Sequence, residues 1–144
     1  MLVRIHRLSA SASLPRYASE GAAAFDLAAS EATTIEPGQV ALVPTGLVIE
    51  VPAGMFLGIF ARSSTPLKRG LMVANGVGVV DPDYCGPADE VKIALLNFTA
   101  QPVRVSVGDR LAQGILLRSA RVEWEETASG KTDSRGGFGS TGEN

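Results

Sequence analysis

The apolar positions of this chain fall in short runs with a two-residue rhythm. Residues 2–8 alternate apolar and basic side chains, and residues 39–44, 47–51, 55–60, 91–98 and 111–117 form further alternating or continuous apolar runs. Turn formers separate them, among them Pro37-Gly38, Pro52-Ala53-Gly54 and Gly108-Asp109. Alternation sends successive side chains to opposite faces of a strand. Many short strands spaced about 8–12 residues apart predict an all-β sandwich or barrel. One segment departs from the pattern. Thr65-Pro66-Leu67-Lys68-Arg69-Gly70 predicts a single short helix, with Thr65 as N-cap, Pro66 at the first helical position and Gly70 as the stop. Residues 20–29 are alanine-rich and compatible with a helix, but Phe25-Asp26-Leu27 within them fits a strand equally well. The rhythm ends before residue 127. From there to residue 144 the chain has no Val, Ile, Leu or Met. Such a stretch lacks the apolar area to order itself, so the expected organisation is one domain, 1–126, followed by a mobile arm, 127–144.

Composition narrows the chemistry. A chain of 144 residues is one ordinary domain and is long enough to bury a full core. Its 13 basic and 15 acidic side chains give a formal net charge of −2, so no basic field is available for a nucleic-acid polymer. A few local arginines can still bind a small phosphorylated ligand. No apolar run approaches a membrane span, and residues 1–8 lack the apolar stretch of a signal peptide. The lone Cys85 leaves no internal disulfide framework, and a cytoplasmic protein is expected. With one histidine, His6, and one cysteine, a His/Cys zinc site within one chain is excluded. A Ser-His-Asp triad would need His6, which falls in the first predicted strand. Acid–base chemistry therefore falls to carboxylates, with arginine or a hard metal ion activating the electrophile.

Five segments could carry that chemistry, and each has a plain structural reading beside it. Gly21-Ala22-Ala23-Ala24-Phe25-Asp26-Leu27 places one acid in an apolar setting, which an arginine or a backbone donor could simply neutralise. Ala61-Arg62-Ser63-Ser64-Thr65 precedes the helix, where backbone N–H groups, hydroxyls and a guanidinium suit an anion; capping by Thr65 would explain one hydroxyl. Asn75 to Tyr84 reads as a glycine-bearing hairpin ending in Asp81-Pro82-Asp83-Tyr84. An Asp before Pro is by itself a turn former. Gly108-Asp109-Arg110-Leu111-Ala112-Gln113 enters a strand, with Arg110 and Gln113 either solvated at an edge or turned toward a ligand. Ser134-Arg135-Gly136-Gly137-Phe138-Gly139-Ser140-Thr141-Gly142 is either a linker or a flap that stacks on a base and grips phosphates.

In this order the five segments resemble the motifs of the trimeric dUTPase family, across residues 21–142. The most specific matches are Gly78-Val79-Val80-Asp81-Pro82-Asp83-Tyr84, Gly108-Asp109-Arg110-Leu111-Ala112-Gln113 and Gly137-Phe138-Gly139-Ser140-Thr141-Gly142. The resemblance implies a distorted β-barrel or jelly-roll subunit and a homotrimer whose active sites are each built from three chains. It implies hydrolysis of dUTP to dUMP and pyrophosphate, which limits uracil in DNA and supplies dUMP for thymidylate synthesis, with Mg²⁺ on the triphosphate. Carried over by position, Asp81 becomes the base that activates water against the α-phosphorus. An aspartate is a weak base, so Mg²⁺ and arginine must stabilise much of the developing charge. Asn75, with the hairpin backbone at Gly78 and Val79, matches the uracil reader. Tyr84 matches the ring under the deoxyribose, where a 2′-hydroxyl would clash. Arg62, Ser63, Ser64 and Gln113 match phosphate contacts. In the arm, Phe138 matches the stacking aromatic, Gly139, Ser140 and Thr141 the phosphate-binding segment, and Arg135 the γ-phosphate arginine. Asp26 matches an acid that acts through Mg²⁺-bound water or by supporting the site, and no direct metal ligand is implied. Asp109 and Arg110 are expected to be structural.

The sequence departs from the family pattern in three places. Cys85-Gly86-Pro87-Ala88-Asp89-Glu90 lengthens the exit from the hairpin. Arg135 precedes Phe138 by three residues where five is common. Gly114 follows Gln113 where a larger aliphatic is usual. The nearest alternative is dCTP deaminase, which shares the fold, but its catalytic glutamate would fall at Ala94, three residues before Asn97. A non-catalytic nucleotide-binding module on the same fold is the remaining alternative.

Overall fold

A computed structural model describes residues 1–130 together with Asp133, Ser134 and Gly136. Among the described residues the chain forms twelve strands and one helix, and every strand pairing is antiparallel. In chain order these are β1 (Ile5–Arg7), β2 (Arg16–Tyr17), β3 (Phe25–Ala28), β4 (Thr33–Ile35), β5 (Val40–Pro44), β6 (Leu47–Ile49), β7 (Met55–Ala61), α1 (Ser64–Arg69), β8 (Leu71–Val73), β9 (Gly78–Val80), β10 (Lys92–Asn97), β11 (Val103–Val105) and β12 (Arg110–Arg118). The largest sheet has the order β2-β3-β12-β7-β9, and a second has the order β5-β10-β8. Two short ribbons, β1-β6 and β11-β4, complete a jelly-roll-like shell. Its interior is aliphatic: Leu27, Ile35, Val43, Leu47, Leu57, Leu71, Ile93, Leu95 and Leu111 are fully buried. The all-β expectation therefore holds, and the alanine-rich stretch resolves as strand β3 rather than as a helix.

Two local features explain departures from the expected pattern. Gly114 faces Phe25 across the β12–β3 ladder. A Cβ at Gly114 would lie 2.7 Å from the Phe25 Cζ and 3.0 Å from the Leu57 Cδ1. The missing side chain thus makes room for the aromatic ring of the neighbouring strand, on whose edge Tyr17 packs with ring centroids 5.8 Å apart.

The helix starts differently from its sequence expectation. Its N-cap is Ser63, without a side-chain capping bond, and Pro66 sits in the first turn rather than at the first position; a first-turn N–H has no helical partner, so proline costs nothing there. Thr65 is not the cap. Its hydroxyl is buried and donates to the Leu111 carbonyl at 2.8 Å, tying the helix to β12. Gly70 ends the helix in the left-handed region, at φ 63°, as expected.

Candidate active site

Two groups of side chains come together, at opposite ends of β7. The first is a polar corner where β3, β12 and β7 lie side by side. Gln113 is in register with Asp26 on one neighbour and with Phe60 on the other, so Arg62, two residues past Phe60, emerges beside Asp26. The Arg62 Nε lies 2.7 Å from Asp26 Oδ1, and the Arg110 Nη1 lies 2.9 Å from Asp26 Oδ2. One carboxylate thus bridges two guanidinium groups, and its side chain is only 13% exposed. Arg62 also donates to the Arg110 carbonyl at 3.2 Å, and Gln113 Nε2 donates to the Ala61 carbonyl at 3.0 Å. These bonds leave several Arg62 N–H groups for an incoming anion, because a guanidinium carries five donors.

A second ion pair braces the same corner. Arg69, in the last turn of α1, grips Asp109 in bidentate fashion, Nη1 to Oδ2 and Nη2 to Oδ1 at 2.8 Å for the second bond. Hydrogen bonds from that guanidinium hold the Asp109 carboxyl below its ordinary value, partial burial opposes the shift, and the Ser106 N–H and the Arg69 charge add to it. The same hydrogen bonds raise Arg69. Arg62, Ser64, Lys68, Arg69 and Arg110 line a cavity of about 450 Å³ in front of this corner. Asp109 and Arg110, expected to be structural, both take part in these pairs. Sequence reasoning missed Arg69 altogether. It ends a helix in an ordinary Lys-Arg-Gly string, and nothing in that string announces a partner 40 positions away.

The second group lies on the turn after β8. The segment expected to be a hairpin is instead a crossing between sheets: β8 pairs with β10, whereas β9 pairs with β7. The Gly76 N–H donates to the Val73 carbonyl at 3.0 Å and closes the turn. Gly78 packs against Ile59 of β7 so closely that a Cβ there would lie 3.1 Å from the Ile59 Cβ. Asn75, Gly78, Val79, Asp81 and Tyr84 line a cavity of about 290 Å³, joined by Leu42, Glu90 and Lys92. Asp81 is exposed, and among the described residues it forms no ion pair. The Tyr84 hydroxyl donates to the Glu90 carbonyl at 3.1 Å.

The register of β7 sets the distance between the two groups. Val80 lies opposite Leu57, so Asp81 sits toward the start of β7, while Arg62 follows its end. Five residues of strand from Leu57 to Arg62 cover roughly 15–20 Å. That exceeds the length of a triphosphate, and the two cavities share no lining residue. The arm residues Arg135, Phe138, Gly139, Ser140 and Thr141 lie outside the described residues.

The arrangement can be compared with known proteins. The family model described as dUTPase matches residues 10–142. The chain belongs to the dUTPase family. The deoxyuridine 5′-triphosphate nucleotidohydrolase of Desulfitobacterium hafniense (strain DSM 10664 / DCB-2) is 47% identical over 138 residues, 90% of this chain and 87% of that one. The enzyme of the same description from Helicobacter pylori (strain P12) is 39% identical over 144 residues, 99% of this chain and 97% of that one. The crystal structure of the dUTPase from Streptococcus mutans superposes with a TM-score of 0.76 at 33% identity, covering 83% of this chain and 98% of that one. The jelly-roll fold is thus the dUTPase fold. No helix among the described residues is long and apolar enough to cross a membrane.

Proposed function

We propose that this dUTPase hydrolyses dUTP to dUMP and pyrophosphate in a site assembled between subunits of a homotrimer, with Asp81 as the base. The observation that carries the reading is the carboxylate of Asp81 standing beside Tyr84, Asn75 and the β9 backbone in one nucleoside-sized cavity. Water oxygen attacks the α-phosphorus as Asp81 takes its proton, and the bond to the α,β-bridging oxygen breaks so that pyrophosphate leaves. Asn75 and the backbone at Gly78 and Val79 read uracil. Tyr84 underlies the deoxyribose. Arg62, Ser63, Ser64 and Gln113, from a second chain, receive the phosphates. Arg135, Phe138, Gly139, Ser140 and Thr141, on an arm spanning residues 127–144 of a third, close over the nucleotide.

The subunit assignment draws support from the strand length between Asp81 and Arg62, which keeps one chain's base away from its own arginine. It draws further support from the outer face of the β5-β10-β8 sheet. Val40, Leu96 and Met72 form one cross-strand row there, with Leu42 and Ala94 beside it. Val40, Leu42 and Met72 are exposed, and an apolar row of this kind marks a contact surface.

Mg²⁺ suits this donor set only with the substrate present. Among the described residues no three His, Cys, Asp or Glu side chains cluster, and Mg²⁺ characteristically rides on substrate phosphates with one or two carboxylates. Asp26 has lone pairs left after its two arginine bonds and can accept from a metal-bound water. When bound, the ion neutralises phosphate charge. A cytoplasmic location accompanies this reading.

Pyrophosphate release measured across the four common deoxynucleoside triphosphates, dUTP and UTP tests the function. Rapid turnover of dUTP alone is expected, since a site with fixed donors and acceptors rejects wrong partners by about 10⁴–10⁵. Comparable turnover of dCTP would refute the uracil assignment, and ammonia from dCTP would make the chain a deaminase.

A further inference from the structure

The stretch from Cys85 to Glu90 that lengthens the exit from the Asp81 turn has a job that the reading above leaves unassigned. It is fastened internally and at its end. The Gly86 N–H donates to Asp89 Oδ2 at 2.7 Å and the Asp89 N–H returns to the Gly86 carbonyl at 3.1 Å, closing a compact turn. Glu90 then bonds in two directions. Its Oε1 accepts the N–H of Gly46 at 2.7 Å. Its backbone carbonyl accepts the Tyr84 hydroxyl at 3.1 Å.

The Gly46 bond is an anchor to the core. Gly46 is buried, and a side chain there would meet Ala12, Ser30 and Ser9 at 2.7–3.1 Å. The flanking segment is already strapped to the start of β10: Thr45 Oγ1 donates to the Val91 carbonyl at 2.6 Å, and the Val91 N–H donates to the Leu47 carbonyl at 2.8 Å. The Glu90 carboxylate adds the rung before these. Its side chain is 17% exposed, and the Lys92 ammonium sits 3.7 Å from the other oxygen. Tyr84, by contrast, is 42% exposed and stands on a loop. Among the described residues its side chain makes one hydrogen bond, through the hydroxyl, to the residue whose own side chain is pinned to the core.

We propose that Glu90 is a positioning residue for sugar selection: by fastening to the Gly46 N–H it fixes the carbonyl that holds Tyr84, and so keeps the ring where a 2′-hydroxyl cannot enter. The proposal rests on the reading of Tyr84 as the floor of the deoxyribose site. An unpinned Glu90 lets the ring drop. Space for a ribose opens while the base Asp81 and the uracil reader stay in place. The predicted signature is therefore a gain toward UTP, which general loosening of the fold would not produce.

The test is the ratio of kcat/KM for dUTP to kcat/KM for UTP in the full-length enzyme and four variants. Glu90→Ala should lower the ratio about tenfold, the scale of one lost hydrogen bond to a charged group, chiefly by raising UTP turnover. Glu90→Gln should stay close to the parent, because its amide oxygen still accepts from Gly46. Tyr84→Phe, which removes the hydroxyl without touching Glu90, should lower the ratio as well, and it carries the test if Glu90→Ala does not fold. Tyr84→Ala serves as the control on the underlying reading. If Tyr84→Ala leaves the ratio unchanged, Tyr84 does not select the sugar and the reading itself fails. If Tyr84→Ala collapses the ratio while Glu90→Ala and Tyr84→Phe keep it, only the role of Glu90 is overturned. An equal loss toward both substrates in Glu90→Ala, or a Glu90→Gln protein as relaxed as Glu90→Ala, also overturns it.

Discussion

The two ends of β7 are built in opposite ways. At its far end, Asp26 bridges Arg62 and Arg110, and Asp109 locks Arg69, so the charges there are already paired and held. At its near end, Asp81 stands exposed on a turn kept in shape by backbone bonds, the Tyr84 hydroxyl and the Cys85 thiol, which donates to the Pro82 carbonyl. A group that must take a proton has to come within hydrogen-bond reach of the attacking water. A group that must meet developing negative charge is useful when it is fixed beforehand. In the function proposed above, the far end is the scaffold for phosphate and the near end carries the base.

Substitutions can break this contrast. Asp81→Asn is nearly isosteric and removes no ion pair, so the protein should keep its melting temperature and its affinity for dUTP while kcat falls about 10²–10⁴-fold, the scale of a lost general base. Near-normal turnover would remove Asp81 from its role. Asp26→Ala should differ in that it lowers stability. It leaves two guanidinium groups without their shared partner, and stability should fall by about 1–3 kcal/mol, with the exposed Arg110 bond counting least. A thermal melt with an unchanged midpoint would show that the corner is not pre-braced.

Smaller effects sharpen the comparison. Thr65→Val keeps the shape of a buried side chain and leaves the Leu111 carbonyl without its donor, at a cost of about 1 kcal/mol in denaturant unfolding. An unaffected protein would show that α1 is held without that bond. The smallest change concerns acid. Asp109 is depressed in the folded state by Arg69, so its stabilisation is present above the unfolded value and is lost as pH falls through the lower folded one. Melting temperatures should therefore drop below about pH 4, and Asp109→Asn should flatten that limb. An identical acid limb in the variant would remove the pair from the account.

Much of this contrast is hidden from a reading of the residues in order. The long runs in β7, β10 and β12 are legible because seven, six and nine residues display a rhythm. The two or three residues of β2, β4, β8, β9 and β11 are too few to do so. Their strand state comes from partners far along the chain, as when Val103 meets Ile35. Thr65 misleads for a related reason: a hydroxyl just before Pro66 looks like a cap, but the Leu111 carbonyl claims it. The five motifs are legible as residue types, and Asp81 is named by them. What they cannot display is that Arg62 and Asp81, only nineteen positions apart by number, are carried to opposite ends of one strand by the antiparallel return of β9. Among the described residues the structure sets Arg62 and Asp81 in two separate groups.

Mixing inactive partners tests that division most directly. Asp81→Asn and Arg62→Ala proteins, each assayed alone and then unfolded and refolded together, are to be compared for dUTP hydrolysis. Two feeble parents and a mixture that regains substantial activity are expected, because some sites would join an intact Asp81 from one chain to an intact Arg62 from another. A mixture no more active than the better parent, with exchange of subunits demonstrated by native mass spectrometry, would contradict it.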